Sequence, residues 1–190
     1  QMDKGIQVED ESITLFSRVE KKMFFKNEDQ LENEWFTGHL DIYTGGHILK
    51  AEEVWDIKSS YELDTFMPKL IEEVDRGYEA QINVYFDLTS AKSGGITYCL
   101  VDCPANILMD EKRKLLYRMN VISEESPEYL MAANELERLL TFPDIDYRER
   151  VIKKPIDRND ELIKKMKDKF PFLRNWISEF HEKHLSLYPK

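Results

Sequence analysis

Ile6, Ile13, Leu15, Phe16 and Val19 recur at roughly helical spacing and predict an opening helix over about residues 6–18. Lys22-Met-Phe-Phe-Lys26 reads as a short strand, followed by a polar turn at Asn27–Gln30. Glu34–Tyr43 and Glu53–Ser59 read as two strands joined through Gly45-Gly46, which predicts a hairpin. Residues 62–75 and 77–90 read as one or two helices, with Pro68 near the first turn of one and Gly77 as a break. Gly95–Asp102 is a strongly apolar strand closed by Pro104. Helical pattern returns at 105–119 and 127–140, then a strand at Arg148–Ile156, then a basic helix from about Asn159 that is expected to break near Pro171. This order predicts an α/β fold with a mixed sheet flanked by helices. No repeat or long linker divides the chain, so a single domain is expected, with residues 1–104 as its core and 105–190 as a helical and strand extension packed on it.

Composition narrows the picture. The 190 residues, 42% hydrophobic and 12% aromatic, suffice for one well-buried core. A net charge of -10 argues against coating polyanions by bulk attraction, but the charge is uneven. Residues 1–150 hold 31 acids against 17 bases, whereas residues 151–190 hold 6 against 10. The two cysteines, Cys99 and Cys103, are too few for a disulfide scaffold, a four-Cys zinc site or a four-Cys iron–sulfur cluster. No apolar run approaches the roughly 20 residues that span a bilayer, and the first twenty residues do not resemble a secretory signal. A soluble, unexported, cytoplasmic protein without a membrane partner is expected.

The chemistry concentrates between Gly38 and Tyr85. In Glu53-Val-Trp-Asp56-Ile57-Lys58, strand period puts Val54, Asp56 and Lys58 on one face and Trp55 and Ile57 on the other. A carboxylate and an ammonium within such a strand carry a desolvation cost that makes sense at a cleft holding something charged. On the preceding strand Asp41 lies opposite the Leu40–Ile42 face, and Gly38 permits close backbone approach. In the hairpin Asp41 and Asp56 are expected side by side, and a divalent cation, Mg²⁺ or Mn²⁺, is the common remedy for two such carboxylates. Gln81 and Tyr85 stand four residues apart on one helical face with Tyr78.

Gly38-His-Leu-Asp41, Asp56-Ile57-Lys58, Gln81-x-x-x-Tyr85 and the strand Ile96–Asp102, taken in order, resemble the PD-(D/E)XK nucleases. The nearest branch is the RecB-like one with its Q-x-x-x-Y motif, as in phage-type YqaJ-like recombination exonucleases. The pattern spans roughly residues 5–103, about half the chain. The resemblance implies a restriction-endonuclease-like core and Mg²⁺-dependent hydrolysis of DNA, with Asp41 and Asp56 as acidic metal ligands, Ile57 lending its carbonyl and Lys58 as the catalytic lysine. Gln81 and Tyr85 would help place that lysine and the DNA. Gly5-Ile-Gln-Val-Glu9 resembles the first-helix motif, which makes Glu9 a further metal ligand, with Asp10 and Glu11 as adjacent alternatives. Leu40 stands where the family's name has proline, as in many RecB-like members. With four residues ahead of Gly5, no upstream DNA-binding helix is expected. Partners implied are DNA, further copies of the chain in a closed ring, and a single-strand annealing or recombination protein.

Blander readings compete. A D-x-K strand is usually a solvated face, and a Gln/Tyr stripe usually packs; a non-catalytic DNA-binding or protein-interaction module on the same fold is the rival. Lys153, Lys154, Arg158, Lys164, Lys165, Lys167 and Lys169 are either the outer face of an amphipathic helix, with Leu162, Ile163, Met166 and Phe170 inward, or a phosphate-binding flank. His181-x-x-His184 reads as a solvated helix end, and His39 as a neighbour of the cleft rather than a ligand.

Overall fold

The computed structural model describes residues 2–184, with side chains from residue 8 onward, so the Ile6 side chain lies outside the described part. The first helix, α1, runs Met2–Glu20 and is longer than its apolar spacing predicts. Short strands β1 (Phe25–Lys26), β2 (Leu31–Glu32), β3 (Thr37–Gly38) and β4 (Ile42–Thr44) follow, and β5 (Glu53–Ser60) is the first long one. After a short helix α2 (Leu63–Phe66) come α3 (Arg76–Thr89), β6 (Ser93–Leu100), α4 (Ala105–Met119), α5 (Pro127–Leu140), β7 (Val151–Asp157) and α6 (Asp160–His184).

The central sheet is mixed, in the order β1-β4-β5-β6-β7, and only the β5–β6 pair is parallel. Its two faces bury separate cores. Val54, Ile96, Leu100 and Ile152 pack under α3 and α6 against Ile82, Phe86 and Ile163. Trp55, Ile57, Cys99 and Ile42 pack under α1 against Val8 and Phe16. Val54 is therefore core as much as Trp55, because helices cover both faces of β5. Gly94 makes the centre of the sheet possible: a Cβ there would lie 1.8 Å from the Val54 carbonyl oxygen.

Four expectations are corrected. Residues 34–43 do not form one strand. The backbone bends at Asp41, so Thr37–Gly38 pairs with β2 in a separate two-stranded sheet, while Ile42–Thr44 joins the main one. Residues 62–75 do not form one helix either, since Pro68 opens a tight 3₁₀ turn over Met67–Leu70. The break falls before Asp75, which caps α3 by accepting the Gly77 amide, so Gly77 sits in the first turn. Finally, α6 passes through Pro171 without ending. The proline leaves the Lys167 carbonyl without its helical donor, and the residues from 171 to 184 are all exposed, so the helix continues there without tertiary packing.

Candidate active site

The β4–β5 register sets Ile42 opposite Trp55, which places Asp41 one step beyond the end of β4, beside Asp56. The bend turns the Asp41 side chain onto β5, where Oδ2 accepts the Ile57 amide at 2.6 Å. A strand residue points its N–H and C=O to the same edge, so the Ile57 carbonyl faces that side as well. Asp56 is 2% exposed. Lys58 Nζ stands 2.6 Å from Asp56 Oδ2 and lies over the Tyr78 ring, 5.0 Å from its centroid. Among the described residues the Lys58 ammonium is the one partner at this oxygen, and no other donor reaches it.

The Q-x-x-x-Y pair ties these parts together. Gln81 Nε2 donates to Asp56 Oδ1 at 3.2 Å and to the Tyr85 hydroxyl at 2.6 Å. The Tyr85 hydroxyl in turn donates to the His39 carbonyl at 3.0 Å, two residues before Asp41. Helix α3 thus holds both carboxylate-bearing segments through one relay. Gly38 makes room for it, since a Cβ there would meet the Tyr85 ring at 3.0 Å. His39 contributes its backbone, and its side chain is exposed.

A cleft of about 680 Å³ opens at the carboxyl end of β5, lined by Glu9, Asp41, Ile57 and Lys58 together with Ser59, Ser60, Thr65, Lys69, Tyr78 and Tyr98. Of the three neighbouring acids on α1, Glu9 lines it; Asp10 and Glu11 face a separate surface hollow, and Asp10 pairs with Lys26 at 2.7 Å. Burial and the neighbouring Asp56 charge push the Asp41 carboxyl up to about 7, against the pull of the Ile57 amide and Lys58. Burial likewise raises Asp56, with Lys58 opposing it. At Lys58 burial favours the neutral amine, but Asp56 and Asp41 outweigh it and the pKa rises. Burial lifts the Tyr85 hydroxyl to about 12, so it stays a donor.

Among the described residues no three His, Cys, Asp or Glu side chains form a metal cluster by themselves. The donor set nonetheless fits a small hard cation: two mutually repelling carboxylates, a backbone carbonyl at the same edge, and a buried Asp56 oxygen whose one neighbour is a cation. The basic flank is placed differently. Lys153 and Lys154 lie on opposite faces of β7: Lys153 pairs with Glu20 on α1 at 2.6 Å, and Lys154 donates to the Leu70 and Glu72 carbonyls at 3.3 and 2.9 Å. Arg158 donates to the Phe86 carbonyl at 2.7 Å and pairs with Asp160. None of the three lines the cleft. Sequence reasoning missed Ser59, Ser60, Thr65, Lys69 and Tyr98; Ser59 and Ser60 directly follow Lys58 on its strand, and Tyr98 is brought beside Lys58 by the β5–β6 register.

The architecture is that of an exonuclease-like fold. The chain superposes on the crystal structure of a phage-related exonuclease from Haemophilus somnus 129PT with a TM-score of 0.62, over 94% of this chain and 73% of that one. At 23% identity, the similarity is one of fold. No family model and no curated protein matches the sequence. No helix among the described residues is long and apolar enough to cross a membrane.

Proposed function

We propose that this chain is a metal-dependent deoxyribonuclease of the PD-(D/E)XK class, an exonuclease of the phage recombination type, hydrolysing phosphodiester bonds. The observation that carries the reading is the Asp41–Asp56–Lys58 group, braced by Gln81 and Tyr85 and opening into a cleft on an exonuclease-like fold. Asp41, Asp56 and the Ile57 carbonyl, with Glu9 at the cleft wall, would hold Mg²⁺ or Mn²⁺. When bound, such an ion supplies Lewis-acid stabilisation of phosphate oxygens and lowers the pKa of water. Lys58 positions the attacking water or neutralises charge developing on the phosphate, and the Gln81–Tyr85 relay keeps Asp56 and the Asp41 bend in register.

The test is incubation of linear and branched DNA, single- and double-stranded, with purified protein and Mg²⁺ or Mn²⁺. Cleavage that EDTA stops and that Asp56→Ala or Lys58→Ala each reduce by about a hundredfold or more is expected. No cleavage of any substrate, or full activity in both variants, overturns the proposal and favours a binding module.

A further inference from the structure

The cleft has two unlike walls. Glu9 and Asp41 line one part with acids, whereas the end of β5 and the 61–70 segment supply Ser60, Thr65 and Lys69, and α3 and β6 add the rings of Tyr78 and Tyr98. Lys58 and Lys69 are the two cations among the described lining residues, and they differ in how their charge is used. Lys58 is bound to buried Asp56. Lys69 pairs with Glu72, whose side chain is 49% exposed, at 2.5 Å, and such solvated pairs exchange readily. Its ammonium also lies 5.8 Å from the centroid of Tyr98, the strand neighbour of Lys58.

The turn holding Lys69 is fixed. Ile71 and Glu72 amides donate to the Pro68 carbonyl, and Lys154 reaches from β7 to the Leu70 and Glu72 carbonyls. Beside it the Thr65 hydroxyl directs its one proton to the Glu62 carbonyl at 3.0 Å and the Ser60 hydroxyl at 3.3 Å, which leaves the Ser60 hydroxyl as the donor on this wall. An ammonium carried on a fixed turn, with a hydroxyl donor beside it, suits a phosphate, while the aromatic rings suit the sugar or base attached to it.

We infer that Lys69, with the Ser60 hydroxyl that Thr65 orients, forms a phosphate subsite taking the nucleotide next to the bond being cleaved, and that Glu72 holds its place in the free protein. The inference rests on the nuclease reading for the identity of its ligand. Lys69 acts as a positioning residue, so Lys69→Met should raise KM about tenfold with much less change in kcat, and Lys69→Arg should recover most of it. The log–log salt dependence of binding a labelled single-stranded dodecamer, read by anisotropy in Ca²⁺, should lose about one phosphate contact, a slope change of roughly 0.7. Glu72→Gln should act oppositely and tighten binding, which a merely structural Lys69–Glu72 pair would not do. Cleavage with unchanged KM and salt slope in Lys69→Met, or weaker binding in Glu72→Gln, overturns the subsite alone. Binding that follows this pattern in a protein that cuts nothing overturns the nuclease reading alone, and no binding by the unmodified protein overturns the subsite.

Discussion

At Asp41 three forces meet on one carboxylate. Burial and Asp56 raise its pKa from 3.8 to about 7, while the Ile57 amide and Lys58 pull it down. The folded chain therefore keeps a proton that the unfolded chain has released across that interval. Stability in metal-free buffer should accordingly fall as pH rises from about 4 to about 7 and then level off. Asp41→Asn removes the titration and leaves an oxygen to accept the Ile57 amide. Its melting temperature in EDTA should change less than the unmodified protein's between about pH 5 and about pH 8. Equal slopes in the two proteins would show that another group sets the dependence. Added Mn²⁺ should offset the loss at high pH in the unmodified protein and not in the variant, since an ion that binds only the folded state stabilises it.

Helix α3 is the element on which the site depends, because one of its faces is core and another holds the relay. Ile82 and Phe86 are fully buried against the sheet, and Gln81 and Tyr85 reach Asp56 and the His39 carbonyl. Tyr85→Phe keeps the ring against Gly38 and removes the hydroxyl. It should cost about 1 kcal/mol in chemical denaturation and lower kcat about tenfold, by loosening the Asp41 bend. Unchanged kcat would make the relay a packing feature. The same elements explain what was legible. Helix α3, β5 and β6 follow from periodicity and flanking breakers, and Asp41, Asp56, Lys58, Gln81 and Tyr85 come together as their order and spacing imply. The bend at Asp41 was not legible, since its cause is distant: the Asn27 amide takes the Asp41 carbonyl, and the Asn27 side chain takes the Leu40 carbonyl. Nor were the partners of Lys153 and Lys154, which strand alternation in β7 sends to opposite faces of the sheet. Local pattern reports a residue's exposure better than its partner.

The molecule places α1 on one face of the sheet and α3 on the other, so that Glu9 and Tyr78 reach the same cleft from opposite sides of β5. A cleft beyond the carboxyl end of a strand in the parallel pair is where open α/β sheets commonly bind ligands. The acidic balance of -10 then bears on how DNA would approach. Contact is expected to be confined to the cleft and metal-dependent, with little attraction to the surface at large. The phage-related exonuclease shares the fold, and the cation is the central requirement of the nuclease proposal. The direct test is titration of metal-free protein with Mn²⁺, followed by electron paramagnetic resonance and by anomalous diffraction from soaked crystals. An ion bound between Asp41 and Asp56, lost in Asp56→Asn, is the expected result; an unmodified protein that binds no Mn²⁺ there, or a variant that binds it equally well, contradicts the proposal.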